Sequence, residues 1–383
     1  MIPSAQAVWG GFVSTGAATG VGNPSCAFVS TDHVVCAVRT GKAAIMVNEF
    51  NGSTWAGWKI LATSVTSDPS CTSEGAGKVI CAATATTGNM QVSIFNGTAW
   101  SATATVAAAL FSAPSCAELA AGHVLCAARS ATGGLTWSVY NGTAWSAFAN
   151  LVTTAVSAPS CTTDNNGGVI CAIYTVKGFT LVNRYVAATG KWLGFLNIGG
   201  TAGGEPDCTS MNSAGNLVCF AKAYTSGIYG SRFNGKAWSL GDWTVYAGLG
   251  GGVNDNASCT SHITNELVCG VIGVLDGALY ANVYNGALWS GWGKVGGTGV
   301  GSPACAPLGT GQVVCLVMGP SNKLSSTVGP KFMRDGHSCL SRLTLILIPE
   351  LETGTNLAYF ARSGTRCSRR GIAAVGGKSK SPP

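Results

Sequence analysis

Fourteen cysteines of this 383-residue sequence form seven regularly spaced pairs, and they are the groups with thiol chemistry that recur along the chain. Six pairs are ten residues apart and one is eleven residues apart. Cysteines at this spacing can face each other across a β-hairpin, where Cα atoms about 4.5 Å apart allow a disulfide. The alternative is buried free thiols that pack as small apolar side chains. The pairs are Cys26 and Cys36, Cys71 and Cys81, Cys116 and Cys126, Cys161 and Cys171, Cys208 and Cys219, Cys259 and Cys269, and Cys305 and Cys315.

The sequence gives little indication of a metal site or of catalytic residues. A structural zinc site needs four ligands, and no histidine or second cysteine pair recurs in phase with the seven pairs. We find no nucleophile elbow, zinc-protease motif or phosphate loop. The few acidic residues do not recur in phase either, so the carboxylate pair of a glycosidase is not indicated. The sequence therefore predicts no metal, no cofactor and no catalytic residues.

Aromatic residues recur in two phases with different expected roles. Those that precede a turn are expected in the core: Phe50, Phe95, Tyr140, Tyr185, Phe233 and Tyr284. A second set lies three to five residues after six of the seven recurring tryptophans and is expected on an outer strand: Phe12, Trp58, Phe148, Phe195, Trp243 and Trp292. These rings either pack between repeat units or are exposed. An exposed aromatic face can stack on a sugar while Arg, Asn and Ser side chains bind its hydroxyls.

The repeat that positions these residues has a period of about 45 residues. The first cysteine of each pair advances by 45, 45, 45, 47, 51 and 46 residues, and the tryptophans keep the same phase. A unit of this size can hold four short strands, which is one blade of a propeller. Helical periodicity is absent, glycine is frequent (54 residues) and only 10% of the residues are charged. We therefore predict an all-β chain with seven four-stranded blades.

Within one unit, residues 69–100, the strands can be placed individually. The first is expected at Pro-Ser-Cys, followed by a loop over residues 72–78. The second covers residues 79–82 and the third residues 90–95. Asn96-Gly97 accepts the positive φ of a tight turn, and the fourth strand is expected to begin at Trp100. Unit five should carry an insertion at residues 248–254.

The two ends of the repeat region complement each other. Residues 9–12 (Trp-Gly-Gly-Phe) match residues 289–292 (Trp-Ser-Gly-Trp), which belong to the fourth strand of a unit. The last unit begins at Cys305 but has no fourth-strand tryptophan of its own. The N-terminal strand should therefore complete the last blade and close a ring, which removes the exposed sheet edges of an open array. The propeller is predicted over residues 1–330.

Residues 331–383 differ from the repeats in composition and are predicted to be a disordered or loosely attached basic tail, or the product of a gene-model error. They hold nine Lys and Arg against three Asp and Glu, whereas residues 1–330 hold thirteen against twelve. The formal net charge of +7 thus does not indicate a nucleic-acid-binding surface. The longest apolar run, residues 343–348, is too short to insert into a membrane. No signal peptide is visible, although seven disulfides would suit a secreted, extracellular protein.

The unit resembles the repeat of the Photorhabdus-type seven-bladed propeller lectins over roughly residues 5–330. The resemblance is carried by Asp-Gly-Ala-Leu-Tyr (276–280), Tyr-Asn-Gly (284–286), Trp-Ser-Gly-Trp (289–292), Val-Gly-Gly (295–297) and Ser-Pro (302–303). It implies binding of fucose and O-methylated sugars between neighbouring blades, with several sites per ring. The family's arginine after the second strand is matched by Arg39 and Arg129. Its third-strand aromatics are matched in part by Trp137 and Tyr140, and by Tyr280 and Tyr284.

The resemblance and the residue pattern together predict a multivalent carbohydrate-binding lectin that is not an enzyme. Its partners would be glycans or glycoconjugates, and a homo-oligomer is compatible with this function. The predicted ligand-binding residues are Arg39, Trp58, Arg129, Trp137, Tyr280 and Trp292. Two other functions stay open: a secreted structural or protein-interaction propeller, and a glycoside-active enzyme with a single site in the channel.

Overall fold

The computed structural model describes residues 9–151, 153–199, 202–223, 228–239 and 252–329. Every regular element in this part of the chain is a β-strand, and the strands form seven antiparallel sheets. These sheets are the blades of a propeller, which confirms the fold that the repeat predicts. All of the strands belong to one compact unit within residues 1–331. The predicted tail, residues 331–383, lies outside the described residues.

The strands follow one another from the innermost to the outermost position of each blade. The chain begins with β1 (Val13–Thr19), which belongs to blade 7. Blade 1 contains β2 (Val21–Ser30), β3 (His33–Arg39), β4 (Ala44–Phe50) and β5 (Lys59–Thr63). Blade 2 contains β6 (Ser70–Gly75), β7 (Lys78–Thr84), β8 (Met90–Phe95) and β9 (Ala104–Val106). Blade 3 contains β10 (Ser115–Ala120), β11 (His123–Arg129), β12 (Leu135–Tyr140) and β13 (Ala149–Leu151).

The remaining blades follow the same order with two local differences. Blade 4 contains β14 (Ser160–Thr163), β15 (Gly168–Tyr174), β16 (Thr180–Val186) and two short outer strands, β17 (Lys191–Trp192) and β18 (Leu196–Asn197). The described strands of blade 5 are β19 (Ala202–Ser213), β20 (Asn216–Ala223) and β21 (Ile228–Asn234). Blade 6 contains β22 (Ser258–Ile263), β23 (Glu266–Ile272), β24 (Leu279–Tyr284) and β25 (Gly293–Gly296). Blade 7 contains β26 (Val300–Pro307), β27 (Val313–Met318) and β28 (Lys323–Val328), and β1 completes it.

The N-terminal strand completes the last blade and closes the ring, as predicted from the sequence of the two ends of the repeat region. Strand β1 pairs antiparallel with β28, with Val13 opposite Ser326. Thr15 Oγ1 donates a hydrogen bond to Leu324 O at 3.1 Å, so the N-terminal strand is also fixed by a side chain. Strand β2 contacts the innermost strands of both neighbouring blades, β6 and β26. The N-terminal strand is thus the outermost strand of blade 7 and pairs with the edge of β28 that would otherwise be free.

All seven predicted disulfides are present, and each joins the first two strands of its blade. The paired cysteines lie directly opposite each other in the register, for example Cys116 opposite Cys126. Their Cα atoms are 4.0–4.1 Å apart. Each disulfide therefore links the two strands of a hairpin covalently.

The second cysteine of each pair is closed off from solvent. Each of these side chains is at most 3% exposed, because the second strand of a blade is covered on both faces by the neighbouring blades. A bonded and buried sulfur can reach neither a ligand nor a redox partner. Their role is structural. They are Cys36, Cys81, Cys126, Cys171, Cys219, Cys269 and Cys315.

The apolar core lies between blades. One cluster joins Val35 and Ile45 of blade 1 to Val79 and Phe95 of blade 2, and other clusters join other pairs of neighbouring blades in the same way. A blade therefore has its apolar faces covered only by its neighbours, as expected for a repeat unit that cannot bury its own core.

A side-chain hydrogen bond also joins most neighbouring innermost strands. The serine before the first cysteine of a blade accepts a hydrogen bond from the backbone nitrogen of the first cysteine of the next blade. These donor–acceptor distances are 2.8–3.0 Å for Ser25–Cys71, Ser70–Cys116, Ser115–Cys161, Ser160–Cys208 and Ser258–Cys305. In blade 5 the acceptor is Asp207, at 3.1 Å from Cys259 N, and in blade 7 the corresponding residue is Ala304.

Two strand boundaries predicted for residues 69–100 are wrong. The loop expected over residues 72–78 is only a two-residue turn at Ala76-Gly77, because both residues adopt positive φ. The fourth strand begins at Ala104 and not at Trp100. Trp100 forms an isolated bridge opposite Phe95, because its ring stacks on Phe95 and packs against blade 1 before the chain turns back to pair. Most of the predicted insertion at residues 248–254 lies outside the described residues.

Candidate functional site

The tryptophan of each repeat is held in place by the turn that precedes it. In blade 3, the Asn141 side chain accepts hydrogen bonds from Thr143 N (3.1 Å) and Ala144 N (2.9 Å). The turn returns the chain so that the rings of Tyr140 and Trp145 stack with centroids 5.3 Å apart. The same aromatic pairing recurs in other blades. Five of the six aromatics predicted for the core are buried, and Phe233 is half-buried.

These tryptophans pack across to the preceding blade. Trp145 and Phe148 of blade 3 contact the apolar cluster shared with blade 2, which also includes Val106 and Ala108. Trp58, Phe195 and Trp292 pack at other junctions, whereas Trp243 of the same set lies outside the described residues. A ligand site requires a junction where such a ring is not fully covered.

The junction of blades 2 and 3 provides such a place. A cleft of about 710 Å³ opens there between the outer segment of blade 2 and the turns of blade 3. The residues that line it are small apart from two aromatics: Val106, Ala107, Ala108, Ala109, Ser130, Ala131, Thr132, Thr136, Trp145, Ser146, Ala147, Phe148 and Asn150. The alanines leave Trp145 and Phe148 accessible from the cleft.

The chemistry of this cleft is polar but uncharged. Ser130 Oγ lies 3.0 Å from Thr132 Oγ1 at the rim, and both side chains are at least partly exposed. Asn150 is exposed on the outermost strand and offers an amide donor and acceptor. None of the lining residues carries a charge. Aromatic faces beside hydroxyls and one amide suit a neutral ligand with both C–H faces and hydroxyl groups.

The six predicted ligand residues are distributed around the ring and do not form one site. Arg39 is engaged in an ion pair, with its Nε 3.0 Å from Asp68 Oδ1. Trp58 packs at the junction of blades 7 and 1, where its Nε1 donates to Thr15 Oγ1 at 3.2 Å. Arg129 lies at the end of β11 with its guanidinium carbon 4.6 Å from the centroid of the Phe111 ring.

The other three predicted residues lie at two further junctions. The Trp137 ring is 5.0 Å from that of Tyr185, between blades 3 and 4. Tyr280 and Trp292 each pack against the cluster between blades 5 and 6. The Tyr280 hydroxyl donates to Asp276 Oδ2 at 3.1 Å, and Lys294 Nζ lies 2.8 Å from the same oxygen. The hydrogen bond from Lys294 is the main reason why the pKa of Asp276 is lowered to about 2.

Two carboxyl groups approach each other away from the cleft. Glu74 of blade 2 is buried, and a β-carbon at Gly75 would lie 3.1 Å from Glu118 Oε1 of blade 3. Desolvation raises the pKa of both groups, and the charge of Glu74 raises that of Glu118 further. They lie beside the turns between the first two strands, whereas the cleft lies beside the turn after the second strand. Among the described residues no group of three His, Cys, Asp or Glu could hold a metal ion.

The residues that line the cleft were not singled out by the sequence, apart from the two aromatics in the recurring set. Ser130, Thr132 and Asn150 have no counterpart in a known motif. One signal was present in the sequence: the alanine run at residues 107–109, next to the fourth strand of blade 2. Small side chains at a blade junction leave space that larger residues fill elsewhere.

Comparison with known proteins identifies the fold. No protein-family model matches the chain, and no curated protein matches its sequence. The BP39L lectin from Burkholderia pseudomallei is similar with a TM-score of 0.69 at 14% identity, covering 82% of this chain and 99% of that chain. The Cps50 (Swd1) β-propeller domain from Myceliophteria thermophila has a TM-score of 0.56 at 8% identity, covering 84% and 99%. The SapL1 lectin, solved with α-methyl fucoside, has a TM-score of 0.51 at 12% identity, covering 73% and 97%.

At these identities the similarity shows the propeller fold alone. A lectin and a Cps50 domain share it, so the fold does not decide between binding functions. Among the residues that the structure describes, no helix is long and apolar enough to cross a membrane.

Proposed function

We propose that the protein is a multivalent carbohydrate-binding lectin that acts without catalysis, with sugar sites between neighbouring blades. The cleft between blades 2 and 3 is the observation that carries this proposal. Its volume of about 710 Å³ falls within the roughly 300–1,000 Å³ of small-molecule sites. Trp145 and Phe148 offer aromatic faces to a sugar ring, and Ser130, Thr132 and Asn150 offer partners for its hydroxyls.

The sugar that we propose is fucose or an O-methylated sugar. This choice rests on the resemblance of the repeat to Photorhabdus-type lectins and is supported by the SapL1 lectin, a propeller bound to α-methyl fucoside. A methyl group would fit the alanine-lined wall, and a free hydroxyl would fit the polar rim. The junctions that hold Trp58, Trp137, Tyr280 and Trp292 are proposed as further, weaker sites.

Several sites on one rigid ring would act together. Single sugar sites bind weakly, and a second contact with the same glycan-covered surface forms at high effective concentration. Seven disulfides would stabilise such a ring outside the cell, where an oxidising environment preserves them. We therefore propose a secreted protein whose partners are glycans or glycoconjugates.

A glycan array that carries fucosylated and O-methylated sugars tests this function on the full chain. Any glycan that binds is then titrated by calorimetry against Asn150→Ala and Thr132→Ala. Loss of one hydrogen bond to the ligand should weaken binding about five- to tenfold. Thr87→Ala is the matched control. Thr87 is the blade 2 residue that corresponds to Thr132 of blade 3, and it does not line the cleft.

Two results would count against the proposal. If no glycan binds above background, the ring is a structural or protein-interaction propeller. If a glycan binds but Asn150→Ala, Thr132→Ala and Thr87→Ala leave its affinity equal to that of the parent protein, the site lies elsewhere on the ring.

A further inference from the structure

The junction of blades 1 and 2 holds an internal carboxylate between two donors. Arg39 Nε donates to Asp68 Oδ1 at 3.0 Å, and the backbone nitrogen of Asn23 donates to Asp68 Oδ2 at 2.8 Å. A β-carbon at Gly22 would collide with this carboxyl group, so glycine provides the space that it occupies. We call Arg39, Asn23 and Asp68 the carboxylate cradle. Binding by a guanidinium and a backbone N–H is a strong, charge-assisted arrangement.

The junction of blades 3 and 4 repeats the donors of this cradle without its carboxylate. The corresponding positions are found by counting from the cysteines. The arginine lies three residues after the second cysteine of its blade, and the backbone donor lies three residues before the first cysteine of the same blade. The carboxylate position lies three residues before the first cysteine of the next blade. In the order guanidinium, backbone donor and carboxylate position, the residues there are Arg129, Ala113 and Ala158. Ala158 thus places a methyl group where the cradle has the acid.

Among the residues that the structure describes, no acceptor pairs with the buried Nε of Arg129. It takes part in none of the ion pairs found there. The guanidinium carbon lies 4.6 Å from the centroid of the Phe111 ring, and Phe111 is 61% exposed. A buried N–H without an acceptor is costly, so a ligand that supplies one would be bound favourably.

The acidic group that interacts electrostatically with Arg129 is engaged elsewhere. Glu205 Oε1 accepts a hydrogen bond from Ala158 N at 3.2 Å, which is the backbone contact expected one junction further along the ring. Desolvation raises the pKa of Glu205, the hydrogen bond from Ala158 opposes this, and Asp255 and Asp68 raise it further. The negative charge of Glu205 thus does not replace the missing acid at Arg129, but it does weaken the attraction for a second carboxylate.

We propose that Arg129 and the backbone of Ala113 bind the carboxylate of an acidic sugar, such as a uronic acid, at the junction of blades 3 and 4. The choice of a sugar rests on the proposed lectin function. It is supported by the exposed aromatic face of Phe111 beside the guanidinium. The internal cradle shows that this arrangement of donors holds a carboxylate in this fold.

Methyl α-D-galacturonide, with methyl α-D-galactopyranoside as its neutral counterpart, tests this proposal on the full chain. Binding is followed by calorimetry and by the Arg129 Nε–Hε resonance in ¹⁵N-labelled protein. We expect the uronide to bind at least tenfold more tightly than the neutral glycoside and to shift that resonance. Acetate should shift the same resonance at higher concentration, which tests the carboxylate site apart from the sugar.

Three variants make the test specific. Arg129→Met keeps the contact with Phe111 but should abolish the preference for the uronide, and Ala158→Asp should abolish it by supplying an internal carboxylate. Asp68→Ala should create a second uronide site at Arg39 and raise the stoichiometry by one. A fourth change, Glu205→Gln, should tighten uronide binding by removing the opposing charge.

Equal affinity for the uronide and the neutral glycoside in the parent protein would overturn the proposal, and so would an Arg129 resonance unaffected by acetate. Failure of this proposal is distinguishable from failure of the lectin function: if arrayed neutral glycans bind but the uronide has no advantage over its neutral counterpart, the lectin function stands and the acidic sugar is wrong.

Discussion

The hydroxyl oxygen of Ser115 accepts a hydrogen bond from the backbone nitrogen of Cys161, and the two atoms lie 2.8 Å apart. Ser115 is in the innermost strand of blade 3 and Cys161 is in that of blade 4. The recurring Pro-Ser-Cys triplet therefore serves two purposes. Its cysteine closes a hairpin within one blade, and its serine binds the next blade.

Replacing Ser115 by alanine should lower the free energy of unfolding by about 1–2 kcal/mol, because the Cys161 N–H loses its acceptor at a blade junction. The reverse change, Ala304→Ser, should add the missing acceptor in blade 7 and raise stability. Urea denaturation measures both effects. Ser53→Ala is the control, since Ser53 is exposed and should change stability by less than about 0.5 kcal/mol. Equal stabilities of Ser115→Ala and the parent protein would show that the hydrogen bond does not hold the blades together.

Asp207, the acidic counterpart of these serines, should make the ring less stable at high pH. Burial raises its pKa from an ordinary 3.8 to about 7, and the hydrogen bond from Cys259 N opposes this only in part. Because the folded pKa lies above the unfolded one, the folded state favours the protonated acid. This contribution to stability is complete below about pH 4 and is lost as the pH rises through about 7.

The Asp207→Ser variant should remove that pH dependence. Its serine can still accept the hydrogen bond from Cys259 N, as Ser160 does from Cys208 N. Urea midpoints between pH 4 and 8 should therefore fall less for Asp207→Ser than for the parent protein. Ser160→Asp, the converse change at the neighbouring junction, should steepen the fall. Parallel pH curves for the parent protein and Asp207→Ser would show that Asp207 is not the responsible group.

The fold could be predicted from the sequence because its signals repeat. The cysteine pairs and tryptophans mark each blade, and the third strand at residues 90–95 follows directly from the alternating pattern and the turn after it. The start of the fourth strand could not be predicted in this way. A tryptophan that begins a strand and one that packs on the preceding blade keep the same phase, and only the contacts of Trp100 distinguish them.

The candidate site was less predictable, because it depends on contacts between different blades. Arg39 matches the expected position of a ligand-binding arginine, yet its partner is Asp68, which lies in the next blade. Arg129 has the same local sequence position, but its Nε has no such partner in the part of the chain that the structure describes. The cleft likewise depends on how residues 106–109 meet residues 130–136, and no pattern within one repeat describes that distance.

The closure of the ring should depend on Thr15. Its hydroxyl donates to Leu324 O at 3.1 Å and accepts from Trp58 Nε1 at 3.2 Å, and the residue is 2% exposed. Thr15→Val keeps the shape but leaves both partners unsatisfied, so the free energy of unfolding should fall by about 2 kcal/mol. Thr19→Val, on the exposed end of the same strand, is the control. Similar losses in both variants, measured by urea denaturation, would indicate a general effect of valine in β1.

Each disulfide should contribute to stability through the unfolded chain. A bond that closes a loop of about ten residues restricts the unfolded ensemble and should stabilise the fold by about 2–3 kcal/mol. The double variant Cys116→Ser/Cys126→Ser should therefore unfold at lower urea than the parent protein. Because both serines stay buried, Cys116→Ala/Cys126→Ala separates the loss of the bond from the burial of hydroxyl groups, and it should show most of the same loss.

The oxidation state itself can be checked by alkylating the denatured parent protein with and without reduction, followed by peptide mapping. The fourteen cysteines of the hairpins should be labelled only after reduction. Labelling without reduction would mean that the thiols are free and pack as small apolar groups. In that case the alanine variant should lose much less stability, since the side chain would be shortened without removing a constraint on the unfolded chain.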